Sequence, residues 1–177
     1  MDRIEIEKVG LSEIEQLQKI GIQTFFETFA EFNTEEDMNN YLEESFSIDK
    51  LRDELTNPNS EFYFAKLNTQ VIGYLKINFG HAQTELKDKK ALEIERIYVL
   101  NEFQGKQIGK ILFERAYTIA KQTNTNYLWL GVWEKNLKAI NFYKKKGFIE
   151  FDKHIFKLGN DEQTDLMMKL TLDEYSL

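Results

Sequence analysis

The sequence predicts an α/β protein of the α+β type, in which a mixed β-sheet carries helices on both faces. The main observation is the order of the elements, which runs strand, three helices, two strands, strand–loop–helix, strand–helix and two strands. A second observation is that 42% of the 177 residues are hydrophobic, which is enough for one packed core. A single proline and the lack of a Ser- or Gly-rich linker predict one domain over residues 1–177.

The first third of the chain combines one strand with three helices. Alternating apolar and charged residues from Ile4 to Val9 predict the strand, and Ser12 with Glu15 has the spacing of a capping box. The predicted helices run from Ile14 to Phe29, from Thr34 through Leu42, and from Ser47 to the Asn57-Pro58 pair.

The rest of the chain alternates strands with two helices. The predicted strands cover residues 61–67, 71–79, 92–100, 127–133, 148–158 and 164–171, and the predicted helices cover residues 108–123 and 137–146. Asn68-Thr69 marks a turn between the first two of these strands, and Gly147 is the expected C-terminal stop of the last helix. Residues 80–90 are polar and are predicted to form a loop.

Charge and composition exclude several functions. The formal net charge of −7 argues against nucleic-acid binding, which needs a basic surface. The chain has no cysteine, and its two histidines, His81 and His154, lie far apart in sequence, so we expect no metal site and no thiolate catalysis. No apolar run approaches the length of a membrane span, and residues 1–5 do not resemble a signal peptide, which predicts no membrane partner and a cytoplasmic location.

The segment from Gln104 to Lys110 is the strongest functional signal. It follows a predicted strand and precedes an amphipathic helix, so its backbone N–H groups and the helix dipole favour a bound phosphate. It is not a Walker A loop, because Gly105 and Gly109 are one residue too close and Ile111 replaces the required hydroxyl. Its glycine pattern and mid-chain position also exclude a dinucleotide-binding fingerprint. Two interpretations of this loop remain, namely an ordinary strand-to-helix turn and a phosphate-binding site for another cofactor.

Motifs on either side of this loop show a resemblance to a known family. They are the segments Ile97–Val99, 104–109, 129–136 and 141–148. Together with the order of the elements, they resemble the GNAT superfamily of N-acetyltransferases over nearly the whole chain. A further set of segments is similar to the bacterial PaiA-type acetyltransferases of spermidine and spermine, namely residues 25–29, 41–43, 92–98, 129–136 and 162–166.

The resemblance implies a fold and a cosubstrate. The sheet would have about seven, mostly antiparallel strands and would splay between the fourth and fifth strands, where the pantetheine arm of acetyl-CoA inserts. Backbone groups of Ile97, Tyr98 and Val99 would bind that arm, and Asn136 would contact it while capping a helix. The pyrophosphate would be bound by Gln104, Gly105, Lys106, Gln107, Ile108, Gly109 and Lys110. No metal is implied.

Gln107 departs from the family pattern, because members usually carry glycine at this position. The loop binds through backbone amides, so glutamine can serve there if its φ is negative and its side chain points away from the pyrophosphate.

The resemblance implies direct attack of an amine on the thioester, and the sequence offers candidates for both proton transfers. Tyr143 matches the family's general acid, and its position after Asn141-Phe142 favours that role over one as a core aromatic. For the general base we predict Glu95, which shares a strand face with Glu93 and lies nearer the expected thioester. Glu93, or no protein base at all, remains open. Arg96 is expected on the opposite face, away from both glutamates.

The expected partners are acetyl-CoA and a small amine, with a polyamine such as spermidine or spermine as the first hypothesis. Candidate contacts are Glu31, Glu35 and Glu36 for the ammonium groups and Phe25, Phe26 and Phe29 for the methylene groups. Glutamates at a helix start are more often simply solvated, and aromatic residues at helical spacing more often belong to the core. Another amine acceptor, such as an amino acid or a protein N-terminus, and a non-catalytic acyl-CoA-binding regulator are the alternatives. The sequence does not determine whether the chain forms a homodimer.

Overall fold

The computed structural model describes residues 3–172, and within them seven strands form one sheet in the order β1-β2-β3-β4-β5-β7-β6. The strands are β1 (Ile4–Lys8), β2 (Ser60–Leu67), β3 (Gln70–Phe79), β4 (Ala91–Val99), β5 (Tyr127–Trp133), β6 (Ile149–Leu158) and β7 (Asp161–Thr171). Neighbouring strands are antiparallel except β4 and β5, which are parallel. The predicted mixed, mostly antiparallel sheet is therefore confirmed.

Helices cover both faces of this sheet, as predicted. They are α1 (Ile14–Phe29), α2 (Glu35–Ser45), α3 (Ile48–Thr56), α4 (Ile108–Gln122) and α5 (Leu137–Lys145). Apolar side chains of α1, α2 and α3 pack on one face around Phe62 and Phe64, while those of α4 and α5 pack on the other face around Leu75 and Leu92. Within residues 3–172, none of the helices combines the length and the apolar character that crossing a bilayer requires.

The helix starts follow the sequence signals at α2 and α3 but not at α1. The side chains of Thr34 and Ser47 accept hydrogen bonds from the amides of Asp37 and Lys50, so both residues are N-caps and the predicted helix starts are confirmed. The capping box expected at Ser12 is wrong, because a short 3-10 turn at Leu11–Glu13 precedes α1. There the Gly10 amide donates to the Glu13 carboxylate at 3.2 Å instead.

The sheet splays between β4 and β5. These strands pair over three residues each, Ala91–Glu93 with Tyr127–Trp129, and among the described residues no strand pairs with this edge of β4 beyond Glu93. The backbone N–H and C=O groups of β4 after Glu93 are therefore available on that side to an extended ligand. The splay between the fourth and fifth strands is confirmed.

A β-bulge at Glu95 changes the direction of the side chains along β4. Lys76 of β3 pairs with Arg96, whereas the next residue of β3, Ile77, pairs with Ile94, so Glu95 is the extra residue. As a result Ile94 and Ile97 both pack beneath α4, while Arg96 packs on the other face with its guanidinium 4.8 Å from the Phe46 ring. The expected opposite orientation of Arg96 and Glu95 is therefore wrong.

Candidate active site

Two adjoining cavities lie at the splay. The inner cavity, about 290 Å³, lies between α1, α2, the separated parts of β4 and β5, and the β6–β7 hairpin. The loop groove, about 630 Å³, follows residues 101–110 and the start of α5. Residues that line both are Thr28, Ile97, Tyr98, Trp133, Asn136, Ala139 and Tyr143. Two ligands can therefore meet at this shared boundary.

The loop groove contains an anion-binding helix start. The first intrahelical bond of α4 runs from the Ile111 amide to the Gln107 carbonyl, so the amides of Ile108, Gly109 and Lys110 precede it. Gly105 has a φ of +80°, and the Gln104 side chain donates to the Val99 carbonyl at 3.3 Å, which together shape the loop. Amides that precede the first intrahelical bond, together with the helix dipole, favour a phosphate group here.

Gln107 adopts the conformation that glycine would favour. Its φ is +64° and its ψ is 11°, which is the left-handed region, so the condition of a negative φ is not met. The loop thus has the backbone shape of a glycine-containing loop, with a side chain at a position where it costs conformational energy.

Replacing Gln107 by glycine should therefore stabilise the fold relative to replacing it by alanine. Both variants lack the long side chain, but alanine retains the left-handed strain, so we expect Gln107→Gly to exceed Gln107→Ala by about 1 kcal/mol in free energy of unfolding. Urea unfolding of the two variants measures this difference. Equal stabilities would show that Gln107 is not strained.

The residues predicted to bind a cofactor lie along the loop groove with one exception. Ile97, Tyr98, Val99, Gln104, Gly105, Gln107, Ile108, Gly109, Lys110 and Asn136 all line it. Lys106 does not, and its ammonium lies 5.0 Å from the centroid of the Phe103 ring. Asn136 is the N-cap of α5, as predicted, since its side chain accepts the Ala139 amide at 3.2 Å.

Tyr143 stands where the two cavities meet. It lies on α5 with its ring against the edges of Phe142 and Phe148, at centroid distances of 5.3 and 5.4 Å. The residue is buried, and this burial raises the pKa of its phenol well above the ordinary value. The hydroxyl therefore remains protonated at neutral pH, which suits a proton donor.

The Glu95 carboxylate is surrounded by cations. It lies 2.5 Å from the Lys76 ammonium and 3.9 Å from the Arg96 guanidinium, and both cations also approach Glu54 of α3, at 3.2 and 3.7 Å. Burial alone would raise the pKa of Glu95, but Arg96, Lys76 and a hydrogen bond from Asn78 outweigh it and lower the pKa to about 2. Glu95 is thus an ionised but weakly basic group.

Glu93 has the opposite environment. Its carboxylate accepts hydrogen bonds from the Thr84 amide at 2.9 Å and the Thr84 hydroxyl at 2.8 Å, and its side chain is almost fully buried. Burial is the main cause that raises its pKa, and the nearby Glu95 charge adds to it, so that the pKa is about 7 despite the bonds from Thr84. A carboxylate with this pKa is suited to accept a proton near neutral pH.

The lining of the inner cavity contains both aromatic and acidic side chains. The aromatic residues are Phe25, Phe29, Tyr41, Trp133 and Phe156, with centroid distances between 4.4 and 6.4 Å along the series. Glu85 and Asp165 are the acidic residues, and His154 Nδ1 is 2.9 Å from the Glu85 carboxylate. Burial raises the pKa of Asp165 to about 6, against the lowering influence of His154.

Part of this lining is not predictable from the sequence. Phe25 and Phe29 line the inner cavity, but Phe26 is exposed, and Glu31, Glu35 and Glu36 do not line it. Asp165 and Glu85 supply the acidic groups instead. The alternation of residues along β7 does not indicate which face of the strand lines a cavity, so Asp165 was not identified. Residues 80–90 show neither helical nor strand periodicity, so Glu85 was not identified either.

A splayed sheet with two adjoining cavities is the arrangement that the resemblance to the N-acetyltransferases implies. A model of the acetyltransferase (GNAT) family matches residues 22–148, and the chain therefore belongs to this family. As a member, it is an acyltransferase that uses acetyl-CoA as its cosubstrate, and the amides of the loop groove together with the free edge of β4 suit the phosphates and the extended arm of that molecule.

Sequence similarity to individual proteins covers most of this chain. An uncharacterized N-acetyltransferase in the pepI 3' region of Lactobacillus delbrueckii subsp. lactis is 42% identical over 172 residues, 97% of this chain and 99% of that protein. A spermidine N(1)-acetyltransferase of Thermoplasma acidophilum is 28% identical over 149 residues, covering 82% and 88% of the two chains. The crystal structure of a PaiA N-acetyltransferase from Thermoplasma acidophilum in complex with coenzyme A superimposes with a TM-score of 0.79 at 25% identity, covering 96% and 99%.

Proposed function

We propose that this acetyltransferase acetylates a primary amine of a polyamine such as spermidine or spermine, by direct attack of the amine on the thioester. The observation that carries the proposal is the inner cavity, whose lining combines aromatic rings with the carboxylates Glu85 and Asp165. Methylene groups pack on aromatic rings, and ammonium groups are attracted both to ring faces and to carboxylates. A Thermoplasma acidophilum relative named as a spermidine acetyltransferase supports the same acceptor class.

The cosubstrate would lie in the loop groove. The amides of Ile108, Gly109 and Lys110 would bind the pyrophosphate, and backbone groups of Ile97, Tyr98 and Val99 would bind the pantetheine arm. Acetyl-CoA supplies the activated acetyl group when it is bound. The residues of this chain would align it with its reacting end beside Tyr143, which lines the boundary with the inner cavity.

Two proton transfers accompany the reaction. The catalytic role predicted for Glu95 stays a prediction, but its pairing with Lys76 and Arg96 makes it the weaker of the two candidate bases. We assign the general base to Glu93, which lines the inner cavity and has a pKa of about 7. Tyr143 lines both cavities, so we assign it to donate the proton to the departing sulfur.

A panel of acceptors tests this function. We expect kcat/KM for release of free coenzyme A to be at least tenfold higher with spermidine or spermine than with glycine or a short peptide amine. Asp165→Asn should raise KM for spermidine several-fold, because one carboxylate facing the ammonium groups is neutralised. The exposed Asp53→Asn is the matched control, with no expected change.

Two outcomes of the panel would contradict the proposal. Folded protein that binds acetyl-CoA yet shows no turnover with spermidine or spermine would refute the polyamine acceptor. If amino acids or peptide amines were preferred instead, the enzyme class would stand and the acceptor assignment would be replaced.

A further inference from the structure

Asn78 connects the two carboxylates of β4. This residue lies on β3 with no exposed surface, and its Nδ2 atom donates to Glu95 Oε2 at 2.8 Å and to Glu93 Oε1 at 3.3 Å. A carboxamide nitrogen carries two hydrogens, so each carboxylate receives one. One buried amide thus spans the ionised Glu95 and the proton-accepting Glu93.

The orientation of this amide is fixed by Ser60 of β2. The Ser60 hydroxyl donates to Asn78 Oδ1 at 2.9 Å, and Ser60 is itself buried. If the amide were reversed, its oxygen would face two carboxylates and its nitrogen would face the hydroxyl, leaving both carboxylates without this donor. The chain Ser60–Asn78–carboxylates therefore has one favourable arrangement.

The charges around the carboxylate pair are unequal. Lys76 of β3 and Arg96 of β4 approach Glu95, and both cations also approach Glu54 of α3. Glu93 instead faces the neutral donors of Thr84, and Glu85 and Asp165 line the same cavity. Asn78 is the one side chain that hydrogen-bonds to both members of the pair among the described residues.

We propose that Asn78 is a positioning residue for the acetyltransferase reaction, whose amide holds Glu93 in the orientation that accepts the proton of the acceptor amine. The inference rests on the proposed function, because it requires Glu93 to be the general base. The amine nitrogen loses its proton to a Glu93 oxygen, and the Asn78 N–H bond to the other oxygen stabilises the carboxylate form. Ser60 acts one step further away, by preventing the amide from turning.

The pH profile of kcat/KM tests this role, with spermidine as the acceptor. Asn78→Asp keeps the size of the side chain but replaces a donor to Glu93 by a group that is charged or gives one hydrogen. We expect the midpoint near pH 7 to move upward by about one unit, which lowers kcat/KM at pH 6 about tenfold. The exposed Asn39→Asp makes the same chemical change on α2 and should leave the midpoint unchanged.

A second pair of variants keeps the test independent of a buried charge. Ser60→Ala removes the hydroxyl that orients Asn78 and should move the midpoint upward by a few tenths of a unit, whereas Ser60→Thr retains a hydroxyl and should restore it. Binding of acetyl-CoA by calorimetry should be the same for all of these variants, since none of these side chains lines the loop groove.

The positioning role of Asn78 and the base role of Glu93 can fail separately. Midpoints equal to wild type in Asn78→Asp and Ser60→Ala, with only a lower plateau, would overturn the positioning role while leaving the function intact. Wild-type turnover in Glu93→Gln would overturn the base assignment, and the inference on Asn78 with it. If Asn78→Asp does not fold, the Ser60 pair decides the question alone.

Discussion

Replacing Tyr143 by phenylalanine is expected to lower kcat about 100-fold while leaving the dissociation constant for acetyl-CoA nearly unchanged. The ring would keep its packing against Phe142 and Phe148, so the boundary between the two cavities would keep its shape. Only the hydroxyl is lost, and with it the group that we assign to protonate the departing sulfur. General acid catalysis by a positioned side chain contributes factors of about 10² to 10⁴. Steady-state kinetics and calorimetric titration with acetyl-CoA measure the two quantities.

Tyr117 provides a matched control for this experiment. It lies on α4 with its ring near Phe113 and lines neither cavity, so Tyr117→Phe removes a hydroxyl without touching the site. We expect wild-type kcat in this variant. A Tyr143→Phe enzyme with more than half of the wild-type kcat would show that Tyr143 is not the acid.

Glu93→Gln is expected to have the second large effect, a loss of about 100-fold in kcat/KM at pH 8 together with a changed pH profile. The pKa of Glu93 is about 7, so its carboxylate form is present above pH 7 and is lost as the pH falls below it. The wild-type kcat/KM should therefore decrease about tenfold per unit below pH 7. In Glu93→Gln this inflection should disappear, and only the titration of the acceptor amine should remain.

Stability against pH gives an independent check on Glu93. A carboxyl group whose pKa is raised in the folded state binds its proton more tightly there than in the unfolded chain. Its contribution to stability is therefore present below the unfolded pKa of about 4.5 and is lost as the pH rises through about 7. Glutamine does not titrate, so Glu93→Gln does not lose stability in this pH range. At pH 8 the melting temperature of the variant should be no lower than that of the wild type. The exposed Glu5→Gln serves as the control for both measurements. A Glu93→Gln variant that keeps the wild-type inflection would contradict the assignment.

Much of the fold follows from local patterns that the sequence displays. The strands and helices were predicted within a few residues because apolar periodicity reports directly on which face of an element is buried. The helix starts at Thr34 and Ser47 and the N-cap Asn136 were predicted from the sequence because capping is a contact between residues three positions apart. The positive φ of Gly147 ends α5 where the sequence placed the stop.

The features that the sequence did not predict depend on contacts between distant residues or on single backbone angles. The bulge at Glu95 is set by the pairing of β4 with β3, and an extra residue in a strand leaves no mark on its composition. The different pKa values of Glu93 and Glu95 arise because burial raises the pKa of Glu93, whereas Arg96 and Lys76, which the fold brings beside Glu95, lower the pKa of that residue. The positive φ of Gln107 is imposed by the loop against the preference of the residue.

The short β4–β5 pairing has a consequence for the thermodynamics of the whole chain. A sheet that is joined over only three residue pairs at its middle forgoes the ladder hydrogen bonds that two longer parallel strands would make. An extended ligand that binds in the gap adds such bonds to the folded state alone, so its binding free energy is also a gain in resistance to unfolding. At a free concentration 100 times its dissociation constant, acetyl-CoA should therefore raise the free energy of unfolding by about 2.7 kcal/mol. The melting temperature of this protein consequently reports on the supply of its own cosubstrate.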